Sequence, residues 1–435
     1  MRLLHRLLIP LIFVLLTWYC SNIYWSSDKW KNIIYSDAKG YYAYLPSLFI
    51  YNDLNLAYFD AIEQKYYKDH SSDFRTYVHG RGHISKYWYG VALLESPFFL
   101  AAHGYAKISG ADADGYSKPY AIAVNLAGIA YLCLGLVYLR KLLRSYKASD
   151  LQNSFITVCI LFGTNLFYYS AVEPGMSHVY SFAAITMFMW YSRMYATVNS
   201  LRYLLYCAGL LGLIVAIRPV NALVILWVPA VCGGYREFLA LLKSTFSRIR
   251  LFLPAAGVFL ILACLQFVIF KLETGNWFFD SYPGENFDFT RPELLPFLFS
   301  YKKGVFVYLP ILLLCLPGFY GWWKFRKFSA VVLLTLFLLI IYVSASWWCW
   351  YYGGSFGMRV MVDWMAFFAI LMLFTFRLIP ARSWRFVYGG AAALLMLFCQ
   401  FQTLQYRYNV IHWSEMNKQK YWEVFMNTDF LKKKK

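Results

Sequence analysis

The chain returns repeatedly to uncharged apolar stretches about as long as a bilayer is thick. They read at 6–24, 118–139, 153–171, 178–196, 203–217, 222–234, 250–271, 304–323, 328–346, 360–376 and 386–404. Unpaired backbone amides are so costly in hydrocarbon that such stretches have to cross as helices. The expectation is an all-α polytopic membrane protein of about eleven transmembrane helices, one membrane domain over residues 1–435. The pair 203–217 and 222–234 is short and is separated by "RPVN" at 218–221. No internal repeat or linker interrupts the series, and with 60% hydrophobic and 14% charged residues little polar material remains for a soluble domain. The opening "MRLLHRLLIPLIFVLLTWYCSNIYW" is laid out like a signal peptide, but its apolar part is long and no small-x-small cleavage site follows. It is expected to remain as the first helix.

A net charge of +19 would point to nucleic acid in a soluble protein. Here Lys and Arg concentrate in short loops between apolar stretches, where they set orientation and touch anionic headgroups; membrane lipids are the expected partners and nucleic acid is not. The clusters Arg140, Lys141, Arg144, Lys147; Arg236, Lys243, Arg248, Arg250; Lys324, Arg326, Lys327; and Arg377, Arg382, Arg385 should share the cytoplasmic face with Arg2 and Arg6. That agreement demands an even number of crossings, or none, within 25–117. The segment "YWYGVALLESPFFLAAHGYAKI" at 87–108, which contains Glu95 and Pro97, is therefore expected to be re-entrant or to lie along the interface. The nine cysteines are dispersed, nearly all in apolar stretches, with no spacing that suggests a disulfide framework or a zinc site.

The opposite face then carries a long first external loop at 25–117, "EPGMSH" at 173–178, a second external loop at 272–303, "SWWCWYYGGSFGMR" at 346–359, and a C-terminal tail at 405–435. In the fourth of these, Trp347, Trp348, Trp350, Tyr351 and Tyr352 precede Gly353 and Gly354, which let a backbone come close to a ligand, and then Arg359. Such a surface suits a sugar ring or a lipid head, the plain alternative being the aromatic belt of any membrane interface. Lys302 and Lys303 stand directly before a crossing on the face where cations are disfavoured. They suit a lipid-linked phosphate, or else they snorkel over apolar surface. Glu173 and His178 share one tight loop. His79, Arg81, His83 and Lys86 crowd "YVHGRGHISK", where Gly80 and Gly82 argue against a helix aiming both imidazoles at one metal ion.

One acid stands alone after the first apolar stretch: Asp37, in "IIYSDAKGYYAYLP". The aromatic and apolar residues from it to Tyr51 should lie on the membrane and hold the carboxylate within reach of a headgroup. A carboxylate there can act as general base toward a hydroxyl, a role worth roughly 10²–10⁴ in rate.

Taken in chain order, "SDAKGYYAYLP", "KYWYGVALLESPFFLAAH", "EPGMSHVYSF", "RPVNALVILWVP", "FLFSYKKGVFVYLP" and "WWCWYYGGSFGMR" resemble the multi-spanning lipid-dependent glycosyltransferases of the GT-C class. That class includes protein O-mannosyltransferases, bacterial aminoarabinose transferases and oligosaccharyltransferase catalytic subunits. The resemblance implies a GT-C-like architecture with the N-terminus inside and the C-terminus outside, in a bacterial inner membrane. It implies a polyprenyl-phosphate-linked sugar as donor, and inverting transfer to a hydroxyl of a glycan, lipid or protein on the external face.

Asp37 falls where the class carries its catalytic or metal-holding carboxylate. The class often has two adjacent acids there; this chain reads Ser36-Asp37-Ala38, and a divalent metal is left unassigned. On the same reading Lys302, Lys303 and Arg359 stabilise the departing lipid phosphate, and Glu173 and His178 line the acceptor side. Trp347, Trp348, Trp350, Tyr351 and Tyr352 hold the sugar or donor lipid, and Arg218, at a helix break, reaches the cavity. Competing readings are a transporter or flippase of a lipid-linked or anionic substrate, which usually shows paired halves with matching broken helices, and an O-antigen ligase or polymerase using pyrophosphate-linked glycans.

Overall fold

The computed structural model describes residues 2–67 and 74–431; the lysines at 432–435 lie outside the described residues. The chain is mostly helical, with, among the described residues, one antiparallel hairpin pairing Arg75–Val78 with Gly82–Ser85. Among the described residues six helices are long and apolar enough to cross a membrane: His5–Ile23, Lys118–Ser145, Ile249–Thr274, Lys327–Ala345, Arg359–Leu378 and Arg382–Arg407. A seventh is added if the pair Pro219–Cys232 and Tyr235–Ser247, bent by 115°, counts as one span. These are the elements of an all-helical integral membrane protein.

Other expected crossings are helical but interrupted, each for a local reason. The stretch 153–171 divides into Asp150–Phe162 and Leu166–Ala171 at Gly163, where a Cβ would strike the Ile311 side chain. Asn165, at this break, donates to the carbonyls of Phe356 and Met358 at 3.1 and 3.3 Å. The stretch 304–323 falls into Val305–Tyr308, a 3-10 segment Pro310–Cys315 and Gly318–Phe325, because Pro310 and Pro317 cannot donate to the helical ladder. By contrast, Asp150–Phe162 starts cleanly on a capping box in which Ser149 and Gln152 satisfy each other's orphan amides. The helix Ser177–Val198 is unbroken but is not among the six; Ser177, His178, Ser181, Thr186 and Ser192 are buried along it.

The Arg359–Leu378 segment, 89% buried, forms the centre of the bundle, whereas Ile249–Thr274 (17%) and Arg382–Arg407 (28%) stand at its periphery. The apolar side chains those two expose, such as Ile261 and Leu394, suit contact with lipid. The basic loops gather at one end. Arg193 donates to the Ser145 carbonyl at 2.9 Å and covers the Tyr146 ring, Arg377 donates to the Tyr146 carbonyl, and Arg248 reaches the Asn199 carbonyl at 3.5 Å.

The segment 87–108 is a single helix, Gly90–Ser109, antiparallel to Lys118–Ser145. Tyr131, at the mid-point of the longer helix, donates to the Leu94 carbonyl at 2.9 Å, while Tyr120, near its start, meets His103 at 2.6 Å. Gly90–Ser109 therefore runs alongside the first half of Lys118–Ser145, at the end away from the basic loops. Its first residue abuts the Ala216–Ile217 backbone so closely that only a glycine fits.

One expected placement needs correction. The stretch from Asp37 to Tyr51 does not lie on the surface: Ala38–Ser47 is buried and only Leu48 and Phe49 present apolar side chains outward. Lys39 is the cause, since its wholly buried ammonium sits 3.6 Å from Glu63 and 4.0 Å from the centre of the Tyr67 ring, anchoring the segment inside the first loop. At the start of the loop assigned to 272–303, helix Ile249–Thr274 continues to a left-handed Gly275. The last long helix runs to Arg407, so the tail starts after it.

Candidate functional site

Ser36 adopts φ 53° and ψ −131°, a backbone conformation costing of order 1–3 kcal/mol, and turns the chain so that helix Asp37–Tyr42 begins on its carboxylate. Asp37 Oδ2 lies 2.9 Å from Arg359 Nη2, with the two side chains 21% and 15% exposed. The pair is reachable from outside yet mostly dry. Burial pushes the Asp37 carboxyl up, but the Arg359 guanidinium and a hydrogen bond from the Tyr87 hydroxyl outweigh it and hold the group below its ordinary value. The Tyr41 and Tyr87 rings pack 4.3 Å apart beside it, and a Cβ on Gly40 would strike the Tyr87 ring.

Two more of the expected residues join this charge cluster. Glu173 accepts from the Tyr168 hydroxyl at 2.8 Å, and burial raises its carboxyl to about 7. Lys303 is buried and donates to the Ser355 carbonyl, and burial lowers its ammonium to about 7. Each feels the charge of the other and of Arg359.

A second carboxylate sits deeper. Asp363 lies in the 3-10 turn Arg359–Trp364, one turn beyond Arg359. Its Oδ1 is 2.8 Å from His178 Nδ1, and its Oδ2 accepts from Asn221 at 2.8 Å and faces Arg218 at 3.4 Å. Arg218, at the break between Leu201–Ile217 and Pro219–Leu226, is also 3.2 Å from His178 Nδ1. His178 thus faces the buried acid, and Arg218 belongs to the site.

The aromatic run is only partly at the carboxylate. Trp347 connects to it through rings, 5.9 Å to Tyr282 and from there 5.9 Å to Tyr87. Trp348 is exposed and donates to Glu285 at 3.3 Å; Trp350 stacks edge-on against Tyr351 at 5.5 Å; Tyr352 donates to the Ser344 carbonyl at 3.1 Å. Lys302 sits 3.4 Å over the Tyr351 ring, with no contact to Asp37 or Arg359. Gly354 faces Trp413, while nothing lies within 4 Å of a Cβ built on Gly353. The run and the second external loop are zipped together, Trp348 N–H to the Asn286 carbonyl at 3.0 Å and Asp288 N–H to the Ser346 carbonyl at 2.7 Å. Lys86 closes this roof through a 2.7 Å ion pair with Glu285.

His79 and His83 are placed apart from the charge cluster. His79 lies in the hairpin turn, His83 packs on Tyr77, and among the described residues no three His, Cys, Asp or Glu side chains gather to hold an ion. Sequence reasoning missed Asp363, although an acid inside an apolar stretch is itself a signal. It also missed Tyr41, Tyr87 and Asn221. No family model matches the chain, and no curated protein matches it.

What the cluster can do follows from its charges. Three carboxylates, Asp37, Glu173 and Asp363, and the cations Arg359, Arg218 and Lys303 gather in one largely buried cluster. An anion can exchange with a carboxylate on either arginine, and a hydroxyl can hydrogen-bond to Asp37.

Proposed function

We propose that the chain is a GT-C-type glycosyltransferase that moves a sugar from a polyprenyl-phosphate donor to an acceptor hydroxyl on the external face, with inversion. The observation that supports this reading is the 2.9 Å pair of Asp37 and Arg359, an accessible acid held against a guanidinium. A hydroxyl on the first and a phosphate oxygen on the second are neighbours, as displacement at an anomeric carbon requires. In this mechanism Asp37 orients the acceptor hydroxyl, and Arg359 with Lys303 stabilises the departing phosphate, Lys302 adding positive charge nearby. Glu173 and His178 line the acceptor side, and Trp347, Trp348, Trp350, Tyr351 and Tyr352 form the wall for sugar or donor lipid. Each donor methylene buried between helices adds about 0.8 kcal/mol of anchoring. The topology on this reading counts the interrupted segments 150–171, 219–232 and 305–325, with the helices Ser177–Val198 and Leu201–Ile217, as further crossings, bringing the six to eleven. The site then faces the outside of a bacterial inner membrane.

The test is mass spectrometry of envelope glycans and glycolipids from cells carrying the wild-type protein, Asp37→Asn, or no copy. Loss of one sugar, with its polyprenyl-phosphate donor accumulating, is expected in both altered strains. A deletion that alters the envelope while Asp37→Asn behaves as wild type removes the carboxylate from the chemistry and favours transport.

A further inference from the structure

Asp37 is a poor proton acceptor as it stands, because Arg359 and the Tyr87 hydroxyl both hold its charge. The deeper cluster offers a second candidate on its geometry. Asp363 has both oxygens occupied, Oδ1 by His178 and Oδ2 by Asn221 and Arg218, so its position is determined from three sides. Asn221 is braced in turn on Ser181 at 3.2 Å. A carboxylate can only accept, so the 2.8 Å contact puts the imidazole proton on Nδ1 and leaves the lone pair on Nε2. With its proton given to Asp363 at the shorter distance, Nδ1 cannot also accept from Arg218 at 3.2 Å, whose guanidinium donates instead to Asp363 Oδ2, and Nε2 has no hydrogen-bond partner among the described residues. The ring stands edge-on to Tyr169 at 5.2 Å, close enough to Asp37 and Arg359 for their charges to act on it.

We propose that His178 is the proton acceptor of the transfer and Asp363 the positioning residue that fixes its tautomer, an assignment that rests on the glycosyl-transfer reading. As the acceptor oxygen bonds to the anomeric carbon, its proton passes to His178 Nε2. The bond from that carbon to the phosphate oxygen breaks, and its electron pair leaves with the polyprenyl phosphate beside Arg359. Asp363 stabilises the imidazolium so formed, and Asn221 and Arg218 keep Asp363 ionised and in place.

The experiment follows the product that the deletion strain lacks, in membrane vesicles supplied with their own donor lipids. His178→Ala is expected to lower turnover at least 100-fold, and millimolar imidazole to restore part of it, since a small base can occupy the vacated volume. Asp363→Asn, of the same shape, is expected to lower turnover by roughly 10²–10⁴ with KM little changed; this variant carries the test if His178→Ala does not accumulate in the membrane. A product retained in full by His178→Ala or by Asp363→Asn overturns the assignment while leaving glycosyl transfer standing. So does a loss in His178→Ala that imidazole does not relieve, which would make the ring a packing element. A deletion strain with an unchanged envelope overturns glycosyl transfer itself, and this assignment with it.

Discussion

Asp37 and Arg359 are joined at 2.9 Å although one follows the first helix and the other opens the bundle's central segment. Breaking such a mostly dry pair from one side leaves an uncompensated charge. Arg359→Gln is expected to cost about 3 kcal/mol, and the double variant Asp37→Asn/Arg359→Gln to recover more than half of it. Thermal unfolding of the protein in nanodiscs measures both, and strictly additive losses would show the two groups uncoupled. Because Asp37 is held below its ordinary 3.8, its contribution is present above that pH and lost only as pH falls through the lowered value. The wild-type advantage should therefore persist at pH 5.

Glu173 and Lys303 meet near neutrality from opposite directions. Glu173, raised from 4.5 to about 7, favours folding fully below pH 4.5, and this contribution is lost as pH rises toward 7. Lys303, lowered from 10.5 to about 7, contributes above pH 10.5, and this is lost as pH falls toward 7. Glu173→Gln should thus gain stability relative to wild type between pH 4.5 and 7, on the order of 3 kcal/mol, and Lys303→Met between 10.5 and 7 as the medium becomes less alkaline. Melting curves taken at intervals of one pH unit read this out; parallel curves for variant and wild type would contradict it.

Lys39 holds the Asp37 helix inside the first loop through Glu63 and the Tyr67 ring. Lys39→Met removes the cation but leaves Glu63 buried, with Arg75 at 3.6 Å as its remaining partner. A loss of about 3 kcal/mol is expected, read as faster proteolytic cleavage within residues 25–117 while the bundle stays resistant. Cleavage at the wild-type rate would show the buried lysine dispensable.

Much of this arrangement was legible in the residues, and the illegible parts have physical reasons. Asp37 stood out because an isolated acid beside an apolar stretch is costly to keep there, and Arg359 because it follows an aromatic run. Asp363 was hidden inside "RVMVDWMAFF", where averaging over a window dilutes one charge among apolar neighbours. Tyr41 and Tyr87 were hidden because tyrosines are common at every membrane interface, and only the packing of Tyr87 against Gly40 and of the two rings on each other distinguishes them. The hairpin Arg75–Ser85 was written in Gly80 and Gly82 but looked like loop. The breaks at Pro310 and Pro317 were readable from proline chemistry alone, whereas the break at Gly163 depends on Ile311, far away in sequence.

The placement of helix Gly90–Ser109 bears on biosynthesis. Its first turn has no wall until the Ala216–Ile217 backbone arrives, and Tyr89 N–H waits for Gln266 at 3.0 Å. Thr76 likewise finds its acceptor, the Ser281 carbonyl at 2.7 Å, only in the second loop. The ribosome therefore delivers Asp37 well before the residues that enclose it, and the first loop must stay loosely docked until they are made. A chain stalled short of residue 359 carries the acid but no arginine to face it, so the pair forms only once the bundle's central segment has been made.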